Sequence, residues 1–168
     1  MTSLYTASVP VFKQLLTALD QVLIKAESYA ADKKIDPTVL LQARLYPDMF
    51  PLIRQVQIAS DFGKSVASRL AGVDVPAYDD SEQSFAELHI RIRNTLAILE
   101  GFSPEQINGK ELLEIVLRPG TPKEKKLSGE NYLLNYGLPQ FFFHVTTAYD
   151  ILRHCGVDIG KRDFMGSY

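Results

Sequence analysis

Apolar side chains recur every three or four positions in four separate stretches of the chain, and that spacing leaves few folds open. The first stripe is Phe12, Leu15, Leu16, Leu19, Val22, Leu23, Ala26 and Ala30. The second is Leu52, Val56, Ala59, Gly63, Val66 and Leu70, and the third is Phe85, Leu88, Ile92, Leu96 and Leu99. The fourth is Phe141, His144, Val145, Ala148, Ile151, Leu152 and Cys155. At about 100° per residue, each set falls on one face of an α-helix. A helix with one apolar stripe must bury it against other helices. Four of them in one chain predict an all-α fold, an antiparallel four-helix bundle, with residues 1–168 as a single domain.

Local signals set the boundaries. Thr2 or Ser3 is suited to cap the first helix, Pro10 lies near its first turn, and Lys33-Lys34-Ile35-Asp36-Pro37 ends it near Asp32. Asp36 followed by Pro37 starts a short helix, which Tyr46-Pro47-Asp48-Met49-Phe50-Pro51 stops. The second long helix runs from about Pro51 to Ala71 and closes at Gly72. Gly63 inside its stripe costs roughly 1 kcal/mol of helix propensity, which points to a close approach by another helix. A loop with Pro76 follows, and Asp80 or Ser81 caps the third helix, which Gly101 ends. Ser103-Pro104-Glu105-Gln106 starts at most one further turn. Ile115-Val116-Leu117, then Pro119-Gly120-Thr121-Pro122, then Lys125-Lys126-Leu127 read as a short β-hairpin before the last helix. Pro139 puts a break or kink between Tyr136 and Phe141. Gly156 stops the last helix.

Composition narrows the function classes. With 18 basic and 20 acidic residues the net charge is −2, which favours neither nucleic acid nor an anionic membrane surface as a partner. No run approaches the ~18 apolar residues of a membrane-spanning helix. One cysteine makes no internal disulfide, and Cys155 on an apolar stripe reads as packing in a reducing compartment. The N-terminal residues lack a secretory pattern, so a cytoplasmic location is expected.

Chemistry concentrates where polar groups interrupt apolar stripes. Gln55, His89 and His144 do so on three helices, so they either satisfy one another or ring a polar pocket in the bundle. His144 and His154 are ten residues apart, about 15 Å along a helix, and cannot share an ion. His89 and His144 lack a third strong ligand, and neither H-E-x-x-H nor C-x-x-C is present. No cofactor is expected, and His144 is the one candidate ligand for a divalent metal. The tail Val157–Tyr168 carries Ile159 and Phe164 to bury. It is expected to fold over the bundle, with Lys161, Arg162 and Asp163 at the surface or paired to Arg153 and Asp150.

Several motifs together resemble a known family. They are Leu45-Tyr46-Pro47-Asp48-Met49-Phe50-Pro51-Leu52, Gln57-Ile58-Ala59-Ser60-Asp61, Ala71-Gly72, Phe142-Phe143-His144, Ala148 through Gly156, and Gly160-Lys161-Arg162-Asp163-Phe164. The set is similar to the DUF1993 family of unknown function, within the DinB/YfiT-like helical bundles, over nearly the whole chain. The resemblance implies four helices and frequent dimers. It also implies comparison with a metal site of three histidines, one on the second helix and two spaced four apart on the fourth. Counted back from Gly156, His144 stands at the second of those two positions and Gln140 at the first. The helix from Pro51 to Ala71 has no histidine, and Gln55 is its nearest inward polar residue.

The reading is therefore a homodimeric bundle that binds a small molecule in a polar pocket around His144, with Gln55, His89, Gln140 and Tyr149 as candidate pocket residues. A divergent metal-dependent transferase or hydrolase, with Asp61 as a further candidate, and a partner-binding adaptor using the hairpin and tail are the alternatives. Whether the protein is an enzyme is left open.

Overall fold

The computed structural model describes residues 2–168. Four long helices carry the four stripes: α1 (Val9–Lys33), α3 (Leu52–Ala71), α4 (Phe85–Glu100) and α7 (Leu138–His154). Short elements connect them: α2 (Pro37–Leu41), α5 (Pro104–Ile107), the hairpin β1 (Glu114–Leu117) and β2 (Lys125–Ser128), and α6 (Gly129–Asn131). A last short helix, α8 (Lys161–Met165), ends the chain. Among the described residues no helix is long and apolar enough to cross a membrane.

Side-chain contacts give the helix directions. Phe12 meets Phe141 edge-on at 4.8 Å and Tyr29 donates to the Cys155 carbonyl, so α1 and α7 run the same way. Lys13 pairs with Glu100 while Asp20 holds His89, so α4 runs against α1. Gln55 bonds His144 while Val66 lies against Gly137, so α3 runs against α7. The Gln57 carbonyl takes Arg91, and Gly63 faces Thr95, so α3 and α4 run together. The bundle is antiparallel across α1/α4 and α3/α7. Its parallel pairs are α1/α7 and α3/α4, and the second requires the chain between Ala71 and Phe85 to cross back along the bundle.

The stripes form one core. Phe12, Leu16, Leu23, Leu52, Leu70, Leu88, Ile92, Leu99 and Phe141 are fully buried. Gly63 serves the close approach its position predicts: a Cβ there would stand 3.2 Å from Leu16 on α1 and 3.7 Å from Thr95 on α4. The hairpin pairs Ile115 with Leu127 and Leu117 with Lys125, and turns Ile115 and Leu117 inward.

Four local details differ from the sequence reading. Ser3 does not cap α1; it closes a turn with Thr6, and the helix begins at Val9 with Pro10 in its first turn. Neither Asp80 nor Ser81 caps α4. Ser84 does, accepting from the Glu87 amide, because the acidic side chains of the preceding loop are taken by arginines. The chain does not break before Phe141. It widens into one π-helical turn, Tyr132–Gly137, whose end is marked by the Leu138 amide bonding the Leu133 carbonyl. Pro139 lacks an amide hydrogen, and the wider turn feeds it into α7 without a lost bond inside the helix. The tail folds back, but onto α1: Asp163 pairs with Lys25 at 2.7 Å, and Gln14 donates to the Met165 carbonyl.

The π turn depends on a missing side chain. A Cβ on Gly137 would lie 2.7 Å from Val66 Cγ2. Gly137→Ala should lower stability by about 1–3 kcal/mol in urea denaturation, an overpacking cost. Combining it with Val66→Ala should cost less than the sum of the two single changes.

Candidate functional site

α3 and α7 bring Gln55 and His144 together, because both lie on the stripes that face each other across this interface. His144 is buried, and its Nδ1 sits 2.7 Å from Gln55 Oε1. The amide oxygen only accepts, so Nδ1–H donates. Gln55 is fixed in turn: its Nε2 donates to the Phe50 carbonyl at 3.0 Å. Phe62 stacks on the imidazole at 6.1 Å and Phe143 meets it edge-on at 5.2 Å. Burial drives the His144 pKa down from 6.5 to about 4, and the nearby Arg54 charge adds to the effect. The ring is therefore neutral near pH 7, with one tautomer selected. Its Nε2 makes no hydrogen bond among the described residues and is not sealed from solvent. The arrangement presents a single hydrogen-bond acceptor beside two aromatic rings.

The other candidates lie elsewhere. His89 is on the α1/α4 side, with Nδ1 2.6 Å from Asp20 Oδ1 and Nε2 buried without a partner, 3.9 Å from Glu27. Tyr149 faces the tail and meets Phe164 edge-on at 5.8 Å. Gln140, half-buried, lies one turn before His144 and makes no side-chain hydrogen bond among the described residues. His154 is exposed, and Cys155 is half-buried with its thiol pKa pushed up by burial.

A charged cluster that the motifs did not signal lies on the other side of α3. The Arg91 side chain is 1 % exposed, projects from α4, and reaches three carboxylates. One terminal nitrogen bonds Asp61 Oδ1 at 2.9 Å and the Gln57 carbonyl at 3.1 Å, and pairs with Asp80 Oδ1 at 2.8 Å. The other bonds Glu82 at 2.9 Å. Arg54 also holds Asp80, Gln57 donates to Glu82, and Lys64 pairs with Asp61. Tyr78 covers the cluster, its ring 4.2 Å from Lys64 Nζ and 4.6 Å from the Arg91 guanidinium carbon. Burial opposes ionisation of Asp80 and Glu82, yet Arg54 and Arg91 at Asp80, and Arg91 with a backbone amide and Gln57 at Glu82, outweigh it and hold both carboxyls below their usual range. Burial opposes the Arg91 charge too, and Glu82, Asp61 and Asp80 outweigh it. One signal was available in the sequence: Arg91 stands three residues after Leu88 and four before Thr95, a charge at stripe spacing. A hollow of about 570 Å³ opens beside this cluster, walled by Arg54, Gln57, Asp80, Glu82 and Phe50.

A three-histidine metal site does not fit these residues. His144 has its Nδ1 committed and faces an amide where an imidazole would be needed. Among the described residues no three His, Cys, Asp or Glu side chains converge as metal ligands.

Fold and site together define a four-helix bundle with one ordered, neutral imidazole between α3 and α7. Residues 4–165 match the family described as Domain of unknown function (DUF1993). A crystal structure of a DinB family member from Shewanella denitrificans is similar at a TM-score of 0.92 and 42% identity, over 98% of this chain and 93% of that one. No curated protein matches. The chain belongs to the DUF1993 family.

Two measurements check these geometries. The folded His144 pKa lies below its unfolded value, so the unfolded chain binds the extra proton between about pH 6.5 and 4. Stability should fall as pH drops through that window, and His144→Gln should flatten the loss there. Asp80 and Glu82, with depressed pKa values, begin to lose their contribution only near their unfolded values of 3.8 and 4.5, at the acid end of that window, and go on losing it at lower pH. Arg91→Met removes the buried cation shared by three carboxylates, leaving Asp61 to Lys64, Asp80 to Arg54 and Glu82 to Gln57, and chemical denaturation should show a loss of about 1–3 kcal/mol.

Proposed function

We propose that this protein is a small-molecule-binding bundle whose ligand donates a hydrogen bond to His144 Nε2 and rests against Phe62 and Phe143. The observation that carries this reading is the locked imidazole. Gln55 fixes Nδ1 as the donor, burial keeps the ring neutral, and the remaining lone pair has no partner among the described residues. An acceptor left open beside aromatic faces is the usual chemistry of a small-ligand subsite. Gln140, one turn before His144 on α7 and without a side-chain hydrogen bond among the described residues, adds a polar contact in this reading.

The same reading includes self-association. Phe142 and Phe143, 38% and 54% exposed, form an aromatic step on the outside of α7, and Phe50 and Tyr46 add to the exposed apolar surface of the chain. Burying such surface against a second copy supports a homodimer. A cytoplasmic location goes with it, supported by a single thiol that suits a reducing compartment.

A polar-fragment screen read by NMR at the His144 and Gln55 side chains tests the site. Saturable shifts should appear and should vanish in Gln55→Leu, which frees the imidazole tautomer. A screen in which no fragment moves His144 removes the reading. Light scattering after size exclusion should return a dimer, and Phe142→Asp with Phe143→Asp should shift it to monomer.

A further inference from the structure

Farther along α3, its outer surface meets the hairpin in a small crevice of about 190 Å³. Phe62 and Tyr136 form its aromatic side, with ring centroids 6.0 Å apart, and Leu117 closes it from β1. Arg69 and Arg118 both line it. Asp61 is the one carboxylate on the wall, and its Oδ1 already takes Lys64 and Arg91. Among the described residues no carboxylate lies within 4.0 Å of either Arg69 or Arg118, whereas Arg54, Lys64 and Arg91 nearby are all paired. Arg69 gives one N–H to the Tyr132 hydroxyl at 3.1 Å, which holds its guanidinium in place.

We propose that this crevice binds a small aromatic carboxylate, the ring against Phe62 and Tyr136 and the acid group between Arg69 and Arg118. The chemistry follows from the walls. Guanidinium is a planar donor matched to a carboxylate, and a flat ring matches aromatic faces better than an aliphatic body does. Size suits a small ligand: the space equals roughly six waters, enough for one substituted ring. The proposal does not rest on the His144 reading, although Phe62 is common to both sites.

Benzoate is the probe, titrated into the full-length labelled protein and read by NMR. Saturable shifts at Phe62, Tyr136 and Arg69 are expected, with Kd on the order of a millimolar or below for so small a ligand. Arg118 is exposed, so Arg118→Gln keeps the fold, and it should weaken benzoate by about tenfold through loss of a charge-assisted bond. Benzyl alcohol, which keeps the ring and lacks the charge, should bind weaker by a similar factor. His144→Gln leaves both arginines in place and should weaken benzoate less than Arg118→Gln does, although the imidazole stacks on the shared Phe62. The proposal is overturned by absent saturation, by undiminished binding in Arg118→Gln, or by benzoate binding that needs His144. It is equally overturned if benzyl alcohol or inorganic phosphate matches benzoate.

Discussion

Arg91 holds the crossover that makes this bundle what it is. Two neighbouring helices, α3 and α4, run in the same direction, so the twelve residues Gly72–Gln83 before the Ser84 cap must travel the length of the bundle and be tied down there. An apolar latch would bury the loop against the core. Here a guanidinium buried in α4 gathers Asp80 and Glu82 from the loop and Asp61 from α3. A buried cation of this kind is tolerable only with its partners in place, so the loop, α3 and α4 are set together or not at all. Tyr78 covers the group and donates or accepts at Thr95, one turn along α4 from Arg91.

That constraint reaches the candidate site through α3. One side of the helix answers to Arg91 through the Gln57 carbonyl and Asp61, and the other side carries Gln55 and Phe62 toward α7. Holding α3 from behind fixes what it shows in front. The π turn does the same for α7. It lets Gly137 lie against Val66 and sets the phase at which His144 meets Gln55. The imidazole is thus oriented by an amide, an aromatic stack and the registry of two helices, none of which is a catalytic group in its own right. Within the DinB-like bundle this interface holds a hydrogen-bonded amide–imidazole pair.

Periodicity carried most of the architecture. The four stripes, Gly72 and Gly101 as helix ends, the Asp36-Pro37 start and the hairpin all arise from interactions within a few residues, which local patterns encode. Gln55 meeting His144 was also legible, since two polar groups on inward stripes need partners. What pattern did not show is long-range. Stripe spacing cannot say which helices touch, so His89 could not be separated from His144, nor Tyr149 from the interior. Asp80 read as a cap because capping is the local use of an aspartate, and its real partners, Arg54 and Arg91, are 26 and 11 residues away. That Arg69 and Arg118 share one crevice appears only once the hairpin is laid on α3.

The running directions of the helices bear on how the chain assembles. In a bundle built from successive up-and-down hairpins, each helix finds its partner a short loop away. Here the antiparallel partners are α1 with α4 and α3 with α7, each pair separated by an intervening long helix or by the hairpin segment. Contacts of such high sequence separation demand large loop closures before any reward in packing. A refolding rate slower than that of a sequentially paired helical bundle of equal length is the kinetic signature this topology carries.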